Sequence, residues 1–290
     1  MTLRKNIIYR FFSIILLSKG VSDINVVSYG WEVFERNSDS RTLALAQSSI
    51  GYPIQNPGTI LLNPALSLSH NNMIGLTHQS RMSGTSNSEF IGFDKYINDS
   101  SWVSVIILYE GVDGIPDTRG ALLDWGLDGI FGTFDVGEGN GSLDEGERLD
   151  VDKIRFFNQN IFGLYGAHSK IFNNWRIGFG LKIMLHTIDK EFGIGAGLDI
   201  GAFRNYNNTG IGLIVKNLPS SGLIWESGNI EISPPSLHFG LHQKFSISKY
   251  ELEINPMFRG SILSLDRSID SELVLGKIPM EFSVGFEAIL

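Results

Sequence analysis

The sequence predicts an all-β fold, a transmembrane antiparallel up-and-down β-barrel of about 12–14 strands. Three observations point to it. From residue 157 onward, apolar side chains recur at every second position, which is the period of a strand with two different faces. The opposite face combines charged residues with glycine, which accounts for 33 of the 290 residues. Residues 111–156 form one long excursion among short turns, as in barrels with long outer loops.

The amino terminus has the order of a secretory signal. Arg4, Lys5 and Arg10 precede the apolar run Phe11–Leu17, so residues 1–22 are interpreted as a signal peptide. A helix lying on a membrane surface is the alternative interpretation. No later run approaches the roughly 20 apolar residues of a spanning helix. Residues 23–290 are therefore predicted to be a single barrel domain that would cross a membrane with strands.

The clearest strand is predicted at Arg176–Thr187, where Phe179 and Leu181 lie on one face and Gly178 and Lys182 on the other. The same alternation recurs around residues 194–202, 211–216, 237–245, 250–255 and 282–288. Weaker strand patterns lie near residues 72–80, 88–97, 102–110, 160–168 and 269–277. A soluble β-sandwich or barrel has the same period with the apolar face turned inward, so periodicity alone leaves both folds open.

Composition excludes several classes of function. The net charge of -8 and pI near 5.3 provide no basic surface for nucleic acid. The absence of cysteine excludes disulfides, thiol catalysis and zinc–thiolate sites. His238 and His242 are four residues apart on one strand face, about 13 Å, too far to share a metal ion. The protein is not expected to be an enzyme.

The segment Asp124–Glu147 is the candidate metal site. In a twelve-residue calcium loop, oxygen ligands alternate along the chain, glycine occupies position 6 and an apolar residue position 8. One register starts at Asp124, with Gly129 and Phe131 at those two positions. A second register places Gly141 and Leu143 there. The predicted Ca²⁺ ligands from both registers are Asp124, Asp128, Asp135, Glu138, Asn140, Asp144 and Glu147.

The alternative for this segment is a solvated acidic loop whose glycines serve only turns. No helical pattern flanks it, so a site here would be a calcium-stabilised insertion and not a helix-flanked calcium sensor. Calcium is the only cofactor that the sequence predicts.

Three motifs in residues 41–84 carry a family resemblance: RTLALA at Arg41–Ala46, ILLNPA at Ile60–Ala65 and GLTHQSRMSG at Gly75–Gly84. They resemble the amino-terminal region of the FadL-like outer-membrane barrels, specifically the PorV/PorQ branch. GLKIM, GAGLDIGAF and VKNL, at residues 180–184, 195–203 and 215–218, are similar to later strands of that branch. Family barrels run on past the position equivalent to Phe286, which leaves a C-terminal truncation open.

The resemblance implies residence in the bacterial outer membrane, among outer-membrane lipid. It also implies a role in the transport of hydrophobic compounds or in type IX protein secretion, with small apolar molecules or secreted cargo proteins as partners. A calcium-dependent surface adhesion or structural module without transport activity is the alternative.

Two smaller features complete the sequence predictions. Asn63, Pro64 and Ala65 are predicted to position a plug or gate, as the resemblance suggests, or to form a rigid turn before the first strand. Asp199 is predicted to pair with Lys182 on the preceding strand, as a structural ion pair on the inner face.

Overall fold

The computed structural model describes residues 24–26, 31–36, 39–67, 71–263, 273–275 and 278–290. The predicted signal peptide, residues 1–22, lies outside these residues, as does most of the strand predicted at 269–277. The described residues form a predominantly β structure with two short helices, α1 (Val33–Arg36) and α2 (Ser40–Ala44). The 3-10 turns are Ser49–Gly51, Pro57–Leu61, Pro64–Leu66, Met82–Gly84, Val151–Lys153 and Ser248–Tyr250.

The strands, in chain order, fall in two groups along the sequence. The first group is β1 (Ile24–Val26), β2 (Met73–Arg81), β3 (Ser86–Asn98), β4 (Ser101–Asp117), β5 (Leu122–Leu123), β6 (Arg148–Leu149), β7 (Arg155–Phe172), β8 (Trp175–Ile188) and β9 (Glu191–Tyr206). The second group is β10 (Thr209–Lys216), β11 (Ser221–Trp225), β12 (Ile230–Ser233), β13 (Ser236–Gln243), β14 (Phe245–Ile247), β15 (Leu252–Ile262), β16 (Leu273–Leu275) and β17 (Ile278–Ile289).

The main sheet is an antiparallel meander, as the sequence predicts. Its order is β2-β3-β4-β7-β8-β9-β10-β13-β15-β17-β16, so strands that follow one another in the chain mostly pair with one another. β11 continues the pairing of β10 along β9, and β12 pairs with β11 and, in parallel, with β1. Within the described residues, no pairing joins β2 to the other end of this order.

The long excursion is shorter than predicted. The β4–β7 ladder continues to the pair Asp117–Arg155, so the chain leaves the sheet only over residues 118–154, called the acidic loop below. Gly114 and Pro116 interrupt the alternation there, so the sequence pattern does not show that β4 continues to Asp117. The ladder passes this point through an irregularity between Val112 and Ile115, where the Asn158 side chain accepts a hydrogen bond from the Gly114 N–H at 3.1 Å.

The two faces of the sheet have opposite characters. On the outer face, large apolar side chains are exposed, as with Leu76 at 72%, Phe179 at 56% and Leu181 at 49%. On the inner face, glycines and polar side chains are buried, among them Lys182 and Asp199 at 2% each. The face assignment made from the alternation is therefore confirmed.

The inner face is covered by the inner segment, which comprises residues 31–36 and 39–67. Trp31, Phe34 and Ile60 form a buried core with Tyr165 and Met184 of β7 and β8. Further along, Ile50 and Leu62 pack against Ile214, while Ala65 and Leu66 pack against Phe203. The apolar core of the protein thus lies between the inner segment and the wall of strands. Among the described residues, no helix combines the length and apolar character needed to cross a membrane.

Candidate functional site

Glycines on the inner face provide the room that the inner segment occupies. A Cβ atom added to Gly178 would lie 2.2 Å from the carbonyl carbon of Pro64, and one added to Gly212 would lie 1.9 Å from the Ile50 carbonyl oxygen. A Cβ atom added to Gly240 would likewise lie 2.7 Å from the backbone nitrogen of Gly51. These distances are too short for any side chain, so the inner segment contacts the wall backbone to backbone. The glycine excess of the sequence is explained in part by this contact.

Asn63 fixes the conformation of the NPA motif and its place on the wall. Its Oδ1 atom accepts a hydrogen bond from the Ala65 N–H at 2.9 Å, and Pro64 begins the 3-10 turn. Its Nδ2 group donates to the carbonyl oxygens of Ala202 and Leu213 at 3.1 and 3.4 Å. Those two residues lie on β9 and β10. One side chain therefore forms the predicted rigid turn and also attaches the inner segment to two strands.

A second attachment joins the inner segment to the last strand of the sheet. Arg41 donates two hydrogen bonds to the Glu287 carboxylate, at 2.7 and 2.6 Å. The Tyr52 hydroxyl donates to the same carboxylate at 3.1 Å. A bidentate arginine–carboxylate pair is among the stronger and more directional of protein contacts. The inner segment is consequently attached to the wall at two separate points, to β9 and β10 by Asn63 and to β17 by Arg41.

The predicted pair of Lys182 and Asp199 exists and is the centre of a buried polar cluster. The Lys182 Nζ atom lies 2.9 Å from Asp199 Oδ1. The same carboxylate accepts hydrogen bonds from the Tyr165 hydroxyl at 3.1 Å and from the Asn217 N–H at 2.9 Å. Lys182 also donates to Asn217 Oδ1 at 2.5 Å. Every ionised atom has a partner, which is the condition under which buried charge is tolerated.

The two histidines of β13 lie on the inner face, and each makes its own contacts. His238 is hydrogen-bonded to Ser236 and Ser261, at 2.8 and 2.7 Å. His242 is bonded to Asn255 at 3.0 Å, with the Tyr52 ring 4.3 Å from its centroid. These contacts belong to the packing of the wall.

Residues 124–152 of the acidic loop carry a net charge equal to that of the whole protein. Residues 124–152 contain nine acidic residues and one basic residue. The complete chain has 31 acidic and 23 basic residues, so 22 of each sign remain elsewhere. The β5–β6 pair and a hydrogen bond from the Asp150 N–H to the Ala121 carbonyl, 2.7 Å long, close the base of the loop.

Inside the loop, carboxylates accept hydrogen bonds from backbone N–H groups. Asp124 accepts from Gly139, Asn140 and Gly141, at 2.7, 3.3 and 2.7 Å. The Gly141 N–H is the largest influence that lowers the pKa of Asp124, and the Glu147 carboxyl lies beside it. Because that pKa is lowered, these contacts are fully formed above the ordinary aspartate value and are lost as the pH falls through the folded-state pKa.

In the structure, predicted ligands of the first register lie beside a predicted ligand of the second. Glu147 accepts from the Gly126 N–H at 2.9 Å, and Asp135 accepts from the Asp128 N–H at 2.8 Å. A Cβ on Gly126 would lie 1.7 Å from Asp135 Oδ1, an atom that is buried without a hydrogen-bond partner. Asp124, Asp135 and Glu147 are thus gathered around Gly126, which has a φ of 72°.

The remaining predicted ligands lie in separate contacts. Glu138 accepts from the N–H groups of Gly132 and Phe134, both at 2.5 Å. Asn140 donates to Asp144 at 2.6 Å. Asp128 accepts from the Ile130 N–H at 2.8 Å. Over the residues that the structure describes, no three Asp, Glu or His side chains converge closely enough to hold a metal ion.

A scan against models of protein families found no match, and a search of curated proteins found none either. The resemblance to the FadL-like barrels therefore remains a prediction from the motifs in residues 41–84 and from the later strand motifs.

The contact between wall and inner segment leads to a testable prediction. Replacing Gly178 with alanine is expected to displace residues 63–65 from the wall, because the new methyl group would overlap the Pro64 backbone. Overpacking of this kind costs about 1–3 kcal/mol. Amide hydrogen exchange of residues 39–67 should then become faster, while exchange in β7 and β8 changes little.

Gly166→Ala is the matched control, since a Cβ on Gly166 meets no atom within 4 Å. It lies on the neighbouring strand β7, opposite Leu181. Equal exchange rates in the two variants would contradict the close approach of the inner segment to the wall.

Proposed function

We propose that the chain forms a bacterial outer-membrane β-barrel whose interior is filled by its own inner segment. The observation that carries this proposal is the inverted distribution of side chains. Apolar residues cover the outer face of successive strands, whereas charged and hydrogen-bonded residues such as Lys182 and Asp199 are buried inside. Lipid is the environment in which an apolar exterior is stable.

The extent of the apolar outer face supports the membrane over water. Soluble monomers rarely expose contiguous apolar patches above a few hundred Å². Here the outer residues of most strands in the meander are exposed and apolar. They include Ile74, Leu76, Ile91, Phe93, Val105, Ile107, Phe162, Leu164, Phe179, Leu181, Ile183, Leu198, Ile200, Ile211, Leu213, Leu241, Val284 and Phe286.

Aromatic residues at the strand ends also favour a membrane. Phe172 and Tyr206 are 69% and 65% exposed where β7 and β9 reach short turns. Trp175 begins β8 at the same end, with the Arg204 guanidinium 5.6 Å from its ring. Aromatic girdles of this kind mark the water–lipid boundary of outer-membrane barrels. In this orientation the acidic loop lies at the opposite end, on the side of the long outer loops.

The proposed activity follows from the resemblance to the PorV/PorQ branch of FadL-like barrels. We propose that the protein takes part in the passage of hydrophobic compounds across the outer membrane or in type IX secretion, where it would receive exported cargo. In either role the inner segment blocks the interior, so passage through the barrel would require it to move. The attachments at Asn63 and Arg41 would resist that movement.

Fractionation and heat-modifiable migration test the membrane proposal. The protein is expected in the outer-membrane fraction, and unheated samples in dodecyl sulfate should migrate differently from boiled ones, as closed barrels do. Recovery of the full chain in a soluble fraction, with one mobility, would contradict it. That outcome would favour the second candidate, a calcium-dependent adhesion or structural module, which the exposed loop residues Phe131, Phe134 and Val136 support.

We propose further that Ca²⁺ orders the acidic loop. Asp124, Asp135 and Glu147 lie around Gly126 from both sequence registers, and Asp135 Oδ1 is buried without a partner. Carboxylate oxygens are the ligands that calcium prefers, and it takes six to eight oxygens in flexible geometry. Binding would require these carboxylates to turn from backbone N–H groups toward a common point, with carbonyl oxygens and water completing the shell.

Calcium is therefore expected to protect the loop from proteolysis. An ion that binds only the ordered loop stabilises it by about 2.7 kcal/mol at a hundredfold excess over the dissociation constant. Trypsin cleavage at Arg148 should be slower in millimolar calcium than in chelator, with the wall of strands intact in both conditions. Asp124→Asn combined with Asp135→Asn should remove most of this protection, because both carboxylates belong to the group around Gly126.

Asp152→Asn serves as the control, because Asp152 is an exposed acid of the same loop that is not among the predicted ligands. It should retain the full effect of calcium. If calcium does not protect the native loop and calorimetry detects no heat of binding, the calcium proposal is wrong and the segment is a solvated acidic loop.

A further inference from the structure

The acidic loop contains a small cavity with a largely apolar wall. Its volume is about 220 Å³, and it is lined by Leu123, Trp125, Gly129, Gly146, Glu147 and Arg148. Sites for small molecules usually enclose about 300–1,000 Å³. The cavity is therefore the size of a hole for one side chain, and it is too small for a whole ligand of that kind.

Exposed apolar side chains border the cavity. Leu127 is 65% exposed, and its carbonyl oxygen would lie 3.2 Å from a Cβ atom added to Gly146. Ile130 is 59% exposed and follows Gly129 in the chain. Three further apolar side chains of the same segment are more than three quarters exposed: Phe131, Phe134 and Val136. Apolar surface concentrated in this way is a mark of an interaction site.

Hydrogen bonds within residues 127–138 satisfy the backbone that carries these side chains. The Leu127 N–H donates to the Val136 carbonyl at 3.1 Å, which closes the segment. The Glu138 carboxylate accepts from the Phe134 N–H at 2.5 Å, and Phe134 has a φ of 55°. A bulky residue in the left-handed region is an outlier, and such residues concentrate at functional sites. The exposed side chains thus lie on an internally bonded backbone.

Acidic residues lie next to the wall of the cavity. Glu147 is part of that wall, and the exposed Glu145 and Asp128 are the chain neighbours of Gly146 and Gly129. Residues 124–152 contain nine acidic residues and one basic residue. Such a surface attracts a cationic partner, whereas an anionic lipid surface would repel it. Charge complementarity therefore favours a basic protein segment as the occupant.

We propose that the acidic loop docks a basic peptide segment of another protein, which inserts one apolar side chain into the cavity and places lysine or arginine side chains on the neighbouring carboxylates. A central apolar anchor within a polar rim is the arrangement that supplies most of the affinity in protein interfaces. The inference goes beyond the proposed passage or secretion role and does not depend on it, because the loop presents the same surface whether the wall lies in lipid or in water.

Three seven-residue peptides test the proposal on the full-length protein in nonionic detergent, with chelator present so that calcium does not affect the result. The first has a central phenylalanine among four lysines and two serines. The second has serine in place of the phenylalanine, and the third has glutamates in place of the lysines. In fluorescence anisotropy, the first peptide is expected to bind about tenfold more tightly than either of the others.

Each unfavourable outcome has a definite meaning. Equal binding of the first two peptides would mean charge attraction without a hole for a side chain. Equal binding of the first and third would mean that the surface has no preference for a cationic partner. Either result, or the absence of binding by the first peptide, would overturn the proposal.

Two variants locate the binding site. Glu145→Gln removes an exposed carboxylate that forms no salt bridge among the described residues, and should weaken binding of the first peptide about threefold. Trp125→Ala removes the largest side chain of the cavity wall and should abolish the preference for the first peptide over the second.

Glu251→Gln is the matched control for charge. Glu251 is exposed and precedes β15 at the end of the strands opposite the acidic loop, so its replacement should leave peptide binding unchanged. The same loss in Glu251→Gln as in Glu145→Gln would reduce the attraction to net charge alone. An unchanged preference for phenylalanine in Trp125→Ala would exclude the cavity as the place of the anchor.

Discussion

Asp199→Ala is expected to destabilise the folded protein by about 3–5 kcal/mol, the cost of leaving one member of a buried ion pair without its partner. The Lys182 side chain is only 3% exposed, so water cannot replace the lost carboxylate. The Tyr165 hydroxyl and the Asn217 N–H would lose their acceptor at the same time. Denaturant unfolding in detergent, followed by tryptophan fluorescence, measures the loss as a shift in midpoint.

Two controls separate burial from charge pairing. Glu253→Ala breaks the pair of Lys244 and Glu253, whose side chains are 39% and 38% exposed, and should cost less than about 1 kcal/mol. The double variant Lys182→Met/Asp199→Leu removes both buried charges and should be more stable than the sum of its single changes implies. Strict additivity in that cycle would mean that the two residues are not coupled.

The faces of the wall could be predicted from the sequence because a strand has a period of two residues. In β8 that period alone placed Phe179 and Leu181 together and Gly178 and Lys182 opposite them. It also placed Asp199 near Lys182, since both lie on the inner face of adjacent strands. The pairing register could not be read in this way, and the structure has Lys182 opposite Gly197, diagonal to Asp199.

The position of the inner segment could not be predicted in the same way. Residues 39–67 consist of one short helix and 3-10 turns, which have no periodicity that identifies a buried face. Their partners are glycines, and an alternating glycine in a strand pattern does not reveal which backbone it approaches. Gly178 and Gly212 are separated in sequence from Pro64 and Ile50, so the contacts depend on the strand order of the whole sheet.

The acidic loop shows the limit of motif spacing. Each register predicted a local loop in which ligands come from twelve consecutive residues. The chain instead folds back, so that Asp124 contacts Gly139 and Gly141 and lies beside Glu147. Turn glycines with positive φ, such as Gly126 and Gly137, permit this return. The composition therefore predicted an oxygen-rich loop, whereas only the tertiary structure shows which of its residues lie together.

Leu181→Arg tests the assignment of the outer face most directly. Leu181 lies midway along β8, is 49% exposed and has Leu198 and Gly166 as cross-strand neighbours. In a lipid bilayer, arginine at this depth costs about 2–4 kcal/mol, so assembly into membranes should fall sharply. In water, the same change at an exposed position would cost little, since it removes only a partly buried side chain.

Phe172→Arg is the matched control, because it places the same charge on the outer face at the end of β7, where Phe172 is 69% exposed. Near a membrane boundary the cost of arginine falls to about 0–1 kcal/mol. Folding into vesicles, measured by the heat-modifiable band, should therefore be lost for Leu181→Arg and kept for Phe172→Arg. Only a membrane, in which the cost of a charge depends on its depth, produces that difference. Equal assembly of the two variants would mean that the apolar face lies in water or against another protein, not in lipid.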